Sequence, residues 1–259
     1  MSDNCGTYVY FVGAGSGAAD LITVRGARLV GEADVIVWAG SLVNGEILSL
    51  AKKGAEIFDS SKMNLSETTS VLFEASQRKK LCVRLHTGDP SIFGAIREQM
   101  EELDRLGVRY EIVPGVSSFC GAAASLKAEY TVPMISQSLI ITRMEGKTPV
   151  PERERLCEMA RHGTSMAIFL SSAMIESVVR ELLLGGAYTA ETPAAVVYKA
   201  TWSDEKIVRG TLGDIAEKCA AAGIKKTALI LAGPFLGKEY NKSFLYDKDF
   251  ETEFRKKSK

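Results

Sequence analysis

The chain of 259 residues balances 32 Lys and Arg against 32 Asp and Glu, so its formal charge is zero. With 46% hydrophobic and 25% charged residues it has the make-up of a globular protein, which excludes disordered and fibrous classes. Zero net charge argues against a protein held on nucleic acid by a broad basic field.

In chain order, residues 1–4 carry neither a basic nor an apolar stretch, so no secretory leader is expected. Residues 8–12 read as a strand running into a Gly-rich turn, and 19–31 as a helix. A strand at 35–38, a short helix at 46–52 and a strand at 56–58 follow. Residues 66–78 read as a helix with Ser66 as its N-cap. Next come a buried strand at 81–85, a helix at 91–106, a strand at 109–113 stopped by Pro114 and Gly115, and a small-residue helix at 117–126. This alternation predicts β-α units on a mainly parallel sheet.

After Pro133 the pattern restarts with a strand at 139–142, a loop at 146–151, a helix at 152–161, a strand at 166–170 and a helix at 175–184. Strands at 194–198 and 207–210 are expected to pair antiparallel across Thr201-Trp202-Ser203-Asp204. A helix at 212–222 and a strand at 228–232 close the unit, and the charged tail after Lys238 is peripheral. The expected fold is α/β with two α/β domains, residues 1–115 and 116–259, the boundary falling near 114–133.

Apolar runs such as 228–232 are too short to span a membrane. Five cysteines (Cys5, Cys82, Cys120, Cys157, Cys219) lie far apart, and only two histidines occur, His86 and His162. That set suits a reducing cytoplasm and supplies no cluster of metal ligands. The expectation is a cytoplasmic protein with no metal, no membrane and no nucleic-acid partner.

Six strand ends carry the functional signal. Gly13-Ala14-Gly15-Ser16-Gly17-Ala18 fits G-x-G-x-x-A, a spacing that lets main chain approach a pyrophosphate. A dinucleotide site also wants an acid ending the second strand, whereas Asp34 precedes it, so a nicotinamide cofactor is disfavoured. What is left is either a loop that admits a bulky ligand or a tight turn without one. Thr87-Gly88-Asp89-Pro90, with Ile92, ends a buried strand where ligands of open α/β sheets bind. Locally Asp89 reads as a helix cap ahead of Pro90, and the free main chain of Gly88 is the ligand candidate. Ser117 and Ser118 open the next helix at the same edge, as ligand hydroxyls or as an N-cap. In the second half, Leu170-Ser171, Lys199-Ala200-Thr201-Trp202 and Ala232-Gly233 also end strands. Trp202 suits core and ligand wall equally. His86 reads as structural, and no triad or carboxylate pair nominates a catalytic residue.

Taken in order, the segments VYFVGAGSGAADLITVR, ADVIVWAGSLV, RLHTGDPSIFGAIREQ, EIVPGVSSFCGAAASL and SQSLIITRMEGKTPVP resemble the tetrapyrrole (corrin/porphyrin) methyltransferase family over residues 8–235. The SQSLIITR stretch with GKTPVP favours its C-11 branch, which methylates precorrin-4 or cobalt-precorrin-4 in cobalamin biosynthesis. The resemblance implies a class III methyltransferase fold, two α/β domains with S-adenosylmethionine in the cleft between them, and a homodimer. It places the cofactor against Thr87, Gly88, Asp89, Ile92, Ser117, Ser118, Leu170, Ser171, Ala200, Thr201, Ala232 and Gly233. It turns the loop of Gly13, Gly15, Ser16 and Gly17 towards the tetrapyrrole, whose carboxylates would meet Arg25, Arg143, Lys147 and Lys199. Relatives often carry Pro and Asp where this chain has Ser16 and Ala18, and Glu where it has Met134. Transfer to another macrocycle carbon, or binding without turnover, are the alternatives.

Overall fold

In the computed structural model, which describes residues 8–240, 242–243, 247 and 250–256, the first five strands form one wholly parallel sheet. They are β1 (Val9–Gly13), β2 (Val35–Trp38), β3 (Glu56–Asp59), β4 (Cys82–His86) and β5 (Tyr110–Val113), in the order β3-β2-β4-β1-β5. Every residue of β1 and β4 is buried, the state that a parallel sheet covered on both faces imposes on its central strands. Side chains alternate between the faces. Tyr10, Val12, Ile36, Val83 and Leu85 pack with Leu29 and Val30 of α1 (Val24–Glu32). Val9, Phe11, Val35, Val37 and Cys82 pack with Leu72 of α2 (Leu65–Gln77) and with Ile96 and Leu103 of α3 (Ile96–Arg105). Burying side chains of this size is worth about 1.5–3 kcal/mol each. α4 (Ser118–Leu126) follows β5.

The second sheet joins β6 (Leu139–Arg143), β7 (Ser165–Phe169), β8 (Pro193–Tyr198), β9 (Lys206–Thr211) and β10 (Ala228–Ala232) in the order β6-β7-β10-β8-β9. Here β6 and β7 run parallel, while β10 is antiparallel to both its neighbours and β8 pairs with β9 as expected. Its core gathers Met166, Ile168, Val196 and Ile230 against α5 (Leu156–Ala160), α6 (Ile175–Leu184) and α7 (Ile215–Ala221). Contacts divide the chain into a first unit that runs to Ala122 and takes in Lys199–Glu205, and a second made of Ala123–Tyr198 and the chain from Lys206 onward. Among the described residues no helix is long and apolar enough to cross a membrane. Residues 1–4, Cys5 and parts of the tail lie outside the described residues.

Several predicted helices start later than the sequence suggests, among them 212–222, which begins at Ile215. Residues 19–31 split into a 3-10 turn (Ala19–Leu21) and α1, because the Thr23 side chain accepts the N–H of Gly26 and opens a new helix there. The stretch 91–106 becomes helical only at Ile96, since Phe93 and Ala95 sit in the left-handed region (φ 54° and 50°) that a right-handed helix excludes. Residues 152–161 divide into a 3-10 turn (Glu152–Glu154) and α5. The cap of α2 is Asn64 rather than Ser66. Asn64 accepts from Glu67 N at 3.0 Å while the Glu67 carboxylate accepts from Asn64 N at 2.8 Å, a reciprocal capping box. Asn64→Ala should therefore lower the stability of the first unit by about 1 kcal/mol in chemical denaturation, with Ser66→Ala close to neutral. Equal losses would return the cap to Ser66.

Candidate functional site

The carboxyl ends of β1, β4 and β5 are drawn together until main chain touches main chain. A Cβ built on Gly13 would lie 2.6 Å from Gly115 Cα and 2.6 Å from the Gly88 carbonyl oxygen, so no side chain fits at this junction. Hydrogen bonds fasten it. Ala14 N donates to His86 O at 2.8 Å, Gly88 N to Gly15 O at 2.8 Å and Gly15 N to Gly88 O at 3.3 Å. The Asp89 carboxylate completes the fastening: one oxygen accepts from Gly115 N at 2.8 Å, and the other accepts from the Ser91 N–H and hydroxyl. Asp89 thus ties its own loop to the one after β5 and does not cap α3. Burial opposes its ionisation, but the Ser91 hydroxyl and the N–H groups of Gly115 and Ser91 outweigh it and hold the carboxyl below its usual range.

Segment 199–205 packs on the first loop. Ser16 is buried, and its hydroxyl meets the Thr201 hydroxyl at 3.0 Å, while Ala18 N donates to Thr201 Oγ1 at 3.1 Å. A Cβ on Gly17 would fall inside the Trp202 indole, so that glycine answers to protein packing. Lys199 pairs with Asp204 at 2.6 Å and lies 4.8 Å from the Trp202 ring centre.

In the second unit, Arg143 is level with Phe169 across the parallel pair β6–β7, so the ends of both strands share one sheet edge. There the Ser171 hydroxyl accepts from Met144 N at 2.9 Å and donates to Phe169 O at 2.6 Å. Leu170 is 68% exposed and left-handed (φ 54°), conditions under which strain marks a site rather than a core. Ile230 is level with Ile168 and Ala228 with Tyr198, which brings the start of β10 to that edge too. Thr227, also left-handed at φ 53°, therefore stands there with Ala228.

The model of the tetrapyrrole (corrin/porphyrin) methylases matches residues 8–216. The chain belongs to this family. A cobalt-precorrin-4 C(11)-methyltransferase of Methanocaldococcus jannaschii is 57% identical over 252 residues, 97% of each chain. A precorrin-4 C(11)-methyltransferase of a Sinorhizobium species is 43% identical over 249 residues, covering 95% of this chain and 98% of that one. Among solved structures, a cobalt precorrin-4 methyltransferase superposes with a TM-score of 0.86 at 47% identity, covering 88% of this chain and 95% of its own. A uroporphyrin-III C-methyltransferase from Thermus thermophilus, complexed with S-adenosylhomocysteine, gives 0.74 at 26% identity, covering 88% and 93%. The expected α/β, class III methyltransferase fold is the one observed.

On this methylase frame the residues singled out in the sequence fall into groups. Within the first unit Gly13 and Gly15 meet Gly88, Gly88 faces Ser117 and Ser118, Ser16 meets Thr201, and Thr87 is exposed while Ile92 N is bonded to Asp89 O. The main chain of Ala200 lies against Gly17. Leu170 and Ser171 share their edge with Arg143. Ala232 and Gly233 do not join them: β10 runs antiparallel to β7, so Ala232 is level with Met166 and Gly233 sits by Thr164, at the opposite end of the sheet. The residues of β10 at the Leu170 edge are Thr227 and Ala228, which sequence reading missed because strand direction carries no local signal. Of the predicted cations, Arg143 donates to the carbonyls of Met144, Thr148 and Pro149 and so braces the 144–151 loop, whereas Arg25 and Lys147 are exposed.

Two buried basic groups lie beneath the 87–95 loop. Arg84 donates to Gln99, Val37 O and Leu85 O, and burial lowers its pKa to about 10, which leaves it charged at neutral pH. His86 is 5% exposed, its Nε2 has no hydrogen-bond partner, and burial together with the Arg84 charge pushes its pKa down to about 3. The imidazole is neutral through the physiological range, and so low a pKa makes it a poor proton acceptor. Among the described residues no group of three His, Cys, Asp or Glu could hold a metal ion.

His86 titrates lower in the folded state than its ordinary 6.5, so between 6.5 and about 3 the unfolded chain binds the extra proton. Its contribution is complete above 6.5 and is lost as pH falls. Wild type should lose stability relative to His86→Phe across that window, with a slope approaching about 1.4 kcal/mol per pH unit in urea melts. A constant difference from pH 7 to pH 4 would show that the imidazole is not excluded from protonation.

Proposed function

We propose that the chain is an S-adenosylmethionine-dependent methyltransferase that methylates C-11 of precorrin-4 or cobalt-precorrin-4 in cobalamin biosynthesis. The observation that carries this reading is the near-full-length identity to C(11)-methyltransferases from an archaeon and a bacterium.

The residues present fit the cofactor. Gly88 is left-handed (φ 61°), and a Cβ there would point at Ser117 Cα (3.4 Å) and Ser118 N (3.5 Å). It is a narrow cradle lined by main chain at the start of α4, where helix N–H groups favour a carboxylate such as that of the methionyl group. Thr87, Gly88, Asp89, Ile92, Ser117, Ser118, Ala200 and Thr201 of the first unit, and Leu170, Ser171, Thr227 and Ala228 of the second, are assigned to the cofactor. The loop of Gly13 to Ala18, with Arg25, Lys147 and Lys199, is assigned to the macrocycle and its carboxylates. When bound, S-adenosylmethionine supplies a sulfonium methyl group for in-line displacement by a ring carbon.

The chain's own work is alignment. Asp89 ties the loop after β4 to the one after β5, and Ser171 fixes the end of β6 against that of β7. Alignment of this kind reaches effective molarities of about 10⁵–10⁸ M, sufficient without a dedicated base. The buried neutral His86 and the fully engaged Asp89 are consistent with that. The family relationship supports a homodimer, and the separate free thiols of Cys82, Cys120, Cys157 and Cys219 support a cytoplasmic setting.

Purified protein given methyl-labelled S-adenosylmethionine and cobalt-precorrin-4 or precorrin-4 should place label on C-11, located by NMR of the product. Label on another ring carbon would reject the assignment, and binding without transfer would make the chain a sensor. Gly88→Arg should abolish calorimetric binding of S-adenosylhomocysteine while far-UV circular dichroism is retained; wild-type affinity would move the pocket elsewhere.

A further inference from the structure

We infer that Glu205 is a positioning residue for this reaction, acting through Thr201 to join the cofactor segment to the substrate loop. The inference rests on the proposed roles of Thr201 and the 13–18 loop.

Thr201 has φ 68°, a left-handed conformation that a β-branched residue adopts only when its surroundings impose it. The imposing group is close by. Thr201 N donates to the Glu205 carboxylate at 2.6 Å, a short charge-assisted bond. Two turns shape the same segment, with Trp202 N bonded to Lys199 O at 3.0 Å and Glu205 N to Trp202 O at 3.1 Å. Lys199 is left-handed as well (φ 48°) and is held by Asp204.

The result of this bracing is the direction of a single hydroxyl. Thr201 Oγ1 accepts from Ala18 N and shares a proton with the buried Ser16 hydroxyl. Ser16 is hemmed in from its other side, because a Cβ on Gly121 of α4 would lie 2.6 Å from Ser16 Cβ. The loop therefore has little freedom to follow Thr201 if that residue relaxes to an ordinary conformation; the hydroxyl would swing away and Ala18 N would lose its acceptor. Glu205 makes its bond to main chain, so its effect reaches the 13–18 loop through the Thr201 backbone angle. Trp202 and Ala200 also pack against Gly17, but the hydrogen bonds between the two segments run through Thr201: what orders Thr201 also orders Ser16 and Ala18.

The test uses the full chain, with S-adenosylhomocysteine affinity from calorimetry and steady-state kinetics with the tetrapyrrole substrate. Glu205→Ala should raise both the S-adenosylhomocysteine Kd and the tetrapyrrole KM about tenfold. Glu205→Gln, whose amide oxygen can accept the same bond, should restore both to within about twofold. Glu205→Asp, which withdraws the acceptor while keeping the charge, should behave like the Ala variant and replaces it if the latter does not fold. In a Ser16→Ala background the effect of Glu205→Ala on KM should be smaller than in wild type, since one of the two hydrogen bonds through which Thr201 reaches the loop is already gone. Unchanged Kd and KM in both Glu205→Ala and Glu205→Asp, or full additivity with Ser16→Ala, would overturn the inference while leaving the cofactor assignment intact. A wild-type chain without affinity for S-adenosylhomocysteine would overturn that assignment and this inference with it.

Discussion

Three strand ends of a parallel sheet can touch main chain to main chain only if nothing projects from the residues at the contact. At the carboxyl ends of β1, β4 and β5 that condition is met by Gly13, Gly88 and Gly115, where added Cβ atoms on Gly13 and Gly115 would overlap neighbouring main chain. The contact converts three separate β-α turns into one surface. Once the backbones meet, the exchange of hydrogen bonds between Gly15 and Gly88 and the reach of Asp89 to Gly115 N become geometrically possible. Those bonds then hold the loop residues that follow, including Ser16, Thr87 and Ser117. A side chain at the junction would not simply weaken a contact; it would separate the loops that the cofactor reading requires to be adjacent.

The electrostatics of the first unit follow from this crowding. Groups that could exchange protons near the loops are either engaged or kept neutral: Asp89 accepts from two N–H groups and a hydroxyl, and the His86 imidazole is shut away from water beside a charged Arg84. Transfer of a methyl group from a sulfonium centre makes little demand for acid or base, and greater demand for a fixed approach. The Asp89 carboxylate directs its hydrogen bonds to the scaffold, at Gly115 and Ser91. The strained backbones of Leu170, Thr201 and Thr227 are of a piece with this, since rigid and unfavourable angles persist only where the surroundings over-determine them.

Much of this was legible in the amino-acid sequence. The strands of the first sheet announce themselves because burial on both faces demands continuous β-branched runs, and the glycines and serines at their ends follow from the turns. The motifs TGDP and PGVSS lie where a parallel sheet must place its ligand edge, and the structure puts them there. Helix starts were less legible. The pair Asp89-Pro90 looks like a cap, yet the carboxylate is captured by Gly115, 26 residues away in sequence, and the helix waits until Ile96. Least legible was the direction of β10. The run 228–232 reads identically in either direction, so Ala232 and Gly233 seemed to close a ligand edge, whereas antiparallel pairing with β7 sends them to the far end and brings Thr227 and Ala228 to Leu170. The departure from the β-α rhythm in the second half is what hides this, because antiparallel neighbours invert the rule that ligand loops follow strands.

A glycine in a sequence motif has two possible causes, a ligand that needs room or a protein atom that already fills it, and the structure separates them one by one. Gly17 is accounted for by the Trp202 indole, and Gly13 by Gly115 and Gly88, so the G-x-G-x-x-A pattern that suggests a phosphate loop is here largely an answer to packing. Gly88 differs. A Cβ there would make only ordinary contacts, at 3.4 Å and beyond, so sterics with the protein do not forbid a side chain. What is required is its left-handed backbone, and the space a larger residue would take faces Ser117 and Ser118 at the opening of α4. Of these three glycines, Gly88 is the one a protein atom does not force to be glycine by overlap, and that supports the proposed assignment of the cofactor to this loop.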